Sequence, residues 1–148
     1  MSDVFLKLIP KNPEYIPADT KLLEIKEWIA QSVKSDKTEF ILTDEVRFID
    51  QGGNFESVSC PFCASNIEIG WWQRAMDKAY EDSFHNLRIV VDCCGKSTSL
   101  NELRYVWNAG FSRFSIEIMN PQDELKDEDF EHIEQVLGSP VSKVIARY

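Results

Sequence analysis

The chain has 148 residues, 43% of them hydrophobic and 28% charged, and its 25 acidic against 16 basic side chains leave a net charge of −9. Such a chain can bury a core of its own as a single globular domain, its apolar runs fall short of the ~20 residues of a membrane helix, and its charge argues against a general nucleic-acid binder. The opening Met1-Ser2-Asp3-Val4-Phe5-Leu6-Lys7 has no basic stretch followed by a long apolar run, so the expected location is the cytoplasm, where thiols stay reduced.

Val4 to Ile9 reads as a strand stopped by Pro10 and Pro13. Asp19 or Thr20 then caps a helix with Leu22, Ile25, Ile29 and Val33 at helical spacing. Two strands, Glu39–Thr43 and Val46–Ile49, lead to the turn Gln51-Gly52-Gly53-Asn54, which returns as a hairpin into Phe55–Ser59. Ile67-Glu68-Ile69 alternates as a short strand. After Gly70 a helix carries Trp71, Trp72, Ala75, Met76, Ala79 and Tyr80 on one face. A strand over Leu87–Val91 precedes Cys93, and Ser99 caps a short helix from Leu100 to Trp107. Phe111–Met119 alternates as a strand, Asp127 caps a helix ended by Gly138, and Val141–Tyr148 closes as a strand.

Both ends of the chain thus share the order strand–helix–strand. Two such units side by side make an α+β, ferredoxin-like split βαβ sandwich. Residues 60–107 would be a cysteine module inserted into this single domain of residues 1–148. The alternative is a plain α+β sheet with helices on one face. The insert is almost neutral, with five basic and six acidic residues; the acidic excess lies elsewhere, most densely from Asp123 to Glu134. That acidic run is a solvated helix start or a docking face for a basic partner.

All four cysteines fall in two tight pairs, Cys60-Pro61-Phe62-Cys63 and Cys93-Cys94-Gly95, with 29 residues between them. Four thiolates brought together match the ligand set and tetrahedral geometry that Zn²⁺ prefers. Cys-x-x-Cys wraps a turn around a metal, and Pro61 presets φ inside it. The second pair is irregular, because adjacent residues of an extended chain point apart; both ligate one ion only if the backbone turns at Cys94-Gly95.

These residues resemble a zinc ribbon, whose two knuckles read Cys-Pro-x-Cys-Gly and Cys-x-x-Cys-Gly at hairpin tips. Cys60, Pro61 and Cys63 match the first, with Ala64 where Gly is usual. Cys94-Gly95 matches the end of the second, but Val91 occupies its first ligand position, leaving Cys93, Asp92 or His85 to supply the fourth ligand. The resemblance implies a structural Zn²⁺ held by Cys60, Cys63, Cys93 and Cys94. More widely, Cys93-Cys94-Gly95, Ser99–Tyr105 and Ala109–Phe114 are similar to a group of uncharacterised bacterial proteins, which implies a bacterial cytosolic protein and no particular activity.

Three other chemistries draw on these residues. Cys60-Pro61-Phe62-Cys63 also resembles the Cys-Pro-x-Cys of glutaredoxins, but a reactive thiol there needs a helix directly after the motif, and Ser65–Ile69 reads as strand. A catalytic zinc would leave a ligand position for water beside a general acid or base; His132-Ile133-Glu134 lies downstream on a helix, out of order for that role. A cysteine–histidine nucleophile would need His85 or His132 beside a thiol. Trp71 and Trp72 either pack the insert on the main sheet or offer one exposed anchor for an interaction. The sequence reading is therefore a non-catalytic adaptor or immunity-like protein, with another protein, basic or not, as partner. A thiol oxidoreductase and a nucleic-acid-associated ribbon are the rivals, and oligomeric state is left open.

Overall fold

Alternating apolar residues at both ends of the chain build one sheet, and the segment between them folds against the end of that sheet. The computed structural model describes residues 2–148. In order, the elements are β1 (Val4–Pro10), α1 (Asp19–Ser32), β2 (Lys37–Ile49), β3 (Ser57–Ser59), α2 (Ile69–Tyr80), β4 (Arg88–Val90), β5 (Ser97–Ser99), a 3₁₀ turn (Leu100–Glu102), β6 (Arg104–Val106), β7 (Gly110–Met119), α3 (Asp127–Leu137) and β8 (Val141–Arg147). Among the described residues the chain is mixed α/β, with three helices and antiparallel sheets, and no helix there is long and apolar enough to cross a membrane.

The main sheet has the order β2-β7-β1-β8, every neighbouring pair antiparallel. β1 and β2 are therefore parallel to each other with β7 between them, and β7 and β8 flank β1 in the same way. The two strand–helix–strand units interleave. α1 and α3 cover one face, where Ile25, Ile29, Ile133 and Leu137 bury against Leu6, Leu8, Phe114, Ile116 and Ile118. Full burial of side chains of this size is worth about 1.5–3 kcal/mol each, which is ample to pin two amphipathic helices. His132 belongs to this helix pair, its ring 4.7 Å from that of Trp28.

The helix starts lie one or two residues upstream of the expected caps. α1 begins after Ala18, with Asp19 inside its first turn. Ala18 is extended and caps without a side-chain bond, and Asp19 in the first turn meets the positive end of the helix dipole. α3 begins after Lys126, whose backbone N–H donates to Asp129 Oδ2 at 2.8 Å, and ends at Gly138 in the left-handed conformation.

Three sequence expectations are corrected in the middle of the chain. The two strands before Gln51 are one strand, β2, with an irregular register between Leu42 and Arg47. Gly52-Gly53 does not close a hairpin: β2 pairs with β7, and β3 pairs with β6. The Gly-Gly turn instead docks on the edge of β8, where Gly53 N–H donates to Arg147 O at 2.8 Å and Asn54 Nδ2 to Ile145 O at 3.0 Å. Asn108 Nδ2 donates to Lys143 O at 2.9 Å, so residues on both sides of the middle segment satisfy a sheet edge that would otherwise be open. The third correction is the helix expected over Leu100–Trp107. Ser99 Oγ does accept from Asn101 N–H, but the turn stops after Glu102 because Arg104–Val106 pairs with β3 and buries Tyr105.

Val58, Cys60, Ala79, Phe84, Val91, Leu100, Leu103 and Tyr105 of the middle segment share one core with Val46 and Phe111 of the main sheet. Phe48 and Phe111 reach into this core with ring centroids 5.2 Å apart. The segment from Asp50 to Ala109 is thereby fixed to the end of β2 and β7.

Candidate metal centre

Two short turns carry the cysteines, and they are built alike. In the first, Cys60 N–H donates to Ser65 O and Ala64 N–H to Cys60 O, both at 3.0 Å. In the second, Val91 N–H donates to Lys96 O at 3.0 Å and Gly95 N–H to Val91 O at 2.9 Å. Ala64 and Gly95 close the two turns with φ of 63° and 69°. β4 and β5 form the stem of the second turn. The first is stemmed by β3 and the residues after the turn, with a bridge between Ser59 and Asn66 and an Ile67 N–H bond to Val58 O. The strand expected over Ile67–Ile69 does not form: pairing after the turn is confined to the bridge at Asn66, and Ile69 already opens α2.

The four thiols converge between the turn tips. One Sγ from each of Cys60, Cys63, Cys93 and Cys94 lies within 4.8 Å of all the others. Cys60 and Cys94 are 3.9 Å apart, and Cys63 and Cys93 are 3.4 Å apart. All four are free thiols, Cys60 buried and the other three exposed. Four cysteines in this arrangement can hold a metal ion. Neither Asp92 nor His85 joins the group: among the described residues the cluster is made of cysteine alone. His85 sits elsewhere, its Nε2 2.7 Å from Glu45 Oε2.

The local hydrogen bonding favours thiolates at the first turn. Phe62 N–H donates to Cys60 Sγ at 3.4 Å. Cys63 lies 3.3 Å from the Ser65 hydroxyl, and bonds from the Ser65 side chain and backbone draw its thiol down to about 6. The Cys60 thiol is also lowered: burial opposes ionisation, but backbone N–H groups of Cys63 and Phe62 outweigh it. Cys93 is pushed up to about 12, chiefly because its proton is shared with Cys63 and secondly by desolvation. Ionising one of this close pair holds the proton on the other.

The structure separates the two adjacent tryptophans. Trp72 is packed among Phe55, Phe48 and Tyr105, with ring centroids 5.6, 5.8 and 6.0 Å away, and its Nε1 donates to Tyr105 Oη at 3.2 Å. Trp71 lies half-buried on the other side of α2, lining a groove against β4. Sequence reasoning missed that groove and also a polar cluster of Lys7, Asp50 and Tyr148. There Lys7 Nζ donates to Tyr148 Oη at 2.7 Å and Tyr148 Oη to Asp50 Oδ2 at 2.7 Å. These residues stand in three distant parts of the chain, and no spacing rule links them.

No family model matches the chain, and no curated protein or solved structure gives a significant match to it. The chemistry of the site is therefore read from its own geometry.

Proposed function

We propose that the chain is a non-catalytic protein-binding or adaptor protein whose middle segment, residues 60–107, is clamped by one structural Zn²⁺. The observation that carries this is the closed set of four cysteine sulfurs. A tetrahedron with Zn–S bonds of about 2.3 Å has edges of about 3.8 Å, and the observed 3.4 and 3.9 Å separations bracket that value. They are far from the ~2.05 Å of a disulfide bond. A catalytic zinc keeps one position for water; here four thiols could fill all four positions, and among the described residues no His, Asp or Glu joins the group.

The finer fold reading rests on the same footing. The order β2-β7-β1-β8 with interleaved strand–helix–strand units supports a ferredoxin-like split βαβ sandwich, and two like turns at hairpin tips support a zinc-ribbon-like insert. A glutaredoxin-like dithiol at Cys60 and Cys63 is disfavoured, because α2 starts only at Ile69 and its N-terminus does not abut Cys63.

Elemental analysis of protein purified without chelators tests the proposal. About one Zn per chain is expected, and Cys60→Ser or Cys94→Ser should each abolish it and loosen the insert, as read by near-UV circular dichroism of Trp72. Metal-free protein that keeps its structure and cycles electrons through Cys60 and Cys63 would overturn it.

A further inference from the structure

α2 and β4 form the walls of a groove of about 610 Å³. Its charge runs against that of the molecule. Three of the five basic residues between Cys60 and Trp107 line it, Arg74 and Lys78 from one face of α2 and Arg88 from β4. Among the described residues none of the three is in an ion pair, and the groove's lining carries one carboxylate, Asp82.

The same groove runs along an open strand edge. β4 pairs with β5 alone. Val91 N–H bonds Lys96 O and Leu100 N–H bonds Leu87 O, with Ile89 opposite Thr98 between them. The alternation of an antiparallel ladder then turns the N–H and C=O groups of Arg88 and Val90 away from β5. Asn86 Oδ1 takes the Arg88 N–H. Neither main-chain group of Val90 has a hydrogen-bond partner among the described residues, and Val90 itself is 60% exposed.

We propose that this groove binds an extended acidic segment of a partner protein, which adds as a strand to the free edge of β4 and sets its carboxylates against Arg74, Lys78 and Arg88. This deepens the protein-binding reading above and rests on it. Main-chain bonds to Val90 supply affinity for any extended chain, and the cations select for acidic side chains. Trp71, Ala75 and Ile89 offer an apolar surface for the side chains between them. The metal site serves the groove, since Cys93 and Cys94 lie just beyond the end of β4 and the clamp holds that wall in place.

The test uses the zinc-loaded full chain and a fluorescein-labelled peptide, Glu-Val-Glu-Val-Glu-Asp, monitored by anisotropy at low and at physiological salt. The controls are the same peptide with Lys for every acidic residue and a short oligothymidylate. The acidic peptide should bind and shift Trp71 emission. Arg74→Glu with Lys78→Glu should weaken binding by about tenfold or more at unchanged zinc content. Val90→Pro, which removes an outward N–H, should weaken it comparably while the surface-charge variant provides an independent arm. No binding at low salt, equal binding by both variants, or preference for the Lys peptide or the oligothymidylate would overturn the proposal. A partner whose interface maps to another surface would overturn the groove and leave the adaptor reading standing.

Discussion

Val91 stands in the second cysteine turn where Cys60 stands in the first. Each opens its turn by donating its N–H five residues ahead and accepting from the fourth residue with its own carbonyl, and each is fully buried. Cys93 therefore occupies the position that Phe62 fills in the first turn.

This equivalence predicts a rescue. Cys93→Ser should remove one thiolate and lower zinc affinity by well over tenfold. Adding Val91→Cys to that variant should restore most of it, because the new sulfur projects from the place that Cys60 uses. Competition against a chromophoric chelator measures both steps, and a double variant as weak as the single one would show that the two turns are not equivalent.

Metal binding should be linked to protons with a defined sign. Near neutral pH the Cys63 thiol, drawn down to about 6, is already ionised, whereas Cys93, pushed up to about 12, carries its proton. Zinc needs both as thiolates, so binding releases at least the Cys93 proton. Calorimetry in buffers of different ionisation enthalpy should show this release. Protons compete with the metal at each thiolate and most strongly at Cys93, whose thiol is raised, so apparent zinc affinity should fall steadily as pH is lowered.

Ala64 and Gly95 should respond to substitution with opposite signs. Ala64 holds φ of 63°, a left-handed conformation that costs a residue with a Cβ about 1–2 kcal/mol. Ala64→Gly relieves that cost, less the extra freedom glycine gains in the unfolded chain, for a net gain of about 0.5–1 kcal/mol. Gly95→Ala meets no atom within 4 Å, so its loss of about 1 kcal/mol is conformational alone. Urea unfolding of the zinc-loaded variants gives both values.

The Lys7–Asp50–Tyr148 cluster predicts a pH dependence at each end of the scale. Burial raises the Asp50 carboxyl, but the Tyr148 hydroxyl, the Lys7 charge and the Gly52 N–H outweigh it and leave it below the ordinary value. Its stabilisation is therefore complete above about 4 and is lost as pH falls through the lowered folded value. Tyr148 is raised, first by burial and then by its bond to Asp50. That stabilisation is complete below about 10 and is lost as pH rises toward the raised folded value. Asp50→Asn should cost about 1 kcal/mol near pH 7, a figure kept low because the carboxylate is partly exposed. It should also flatten the acid limb of the melting-temperature profile.

The local features of this protein were legible from residue order. The β1, β7 and β8 strands and all three helices track their apolar periodicity to within a few residues. The Cys60–Cys63 turn is readable because chelation and turn geometry there involve neighbours, and the departure at Val91 is visible as a missing ligand. Partner choice was not legible. Gly52-Gly53 signals a turn but does not specify which strand the returning chain pairs with; burial of Phe48 against Phe111, 63 positions apart, pairs β2 with β7 instead. Arg104–Val106 reads equally as helix or strand until β3 is beside it.

By itself, then, the sequence determined which residues turn, which face inward and that two cysteine pairs offer thiolates to a soft metal, since these depend on the chemistry of short windows. Tertiary structure decided that Cys93 and not Asp92 or His85 joins the cluster, and that Trp72 packs, partly buried, among aromatic rings while Trp71 faces a groove. It also brought Arg74 and Lys78 opposite Arg88 beside the open edge of β4. Those outcomes come from contacts between elements far apart in the chain, where burial and backbone hydrogen bonding outweigh local preference.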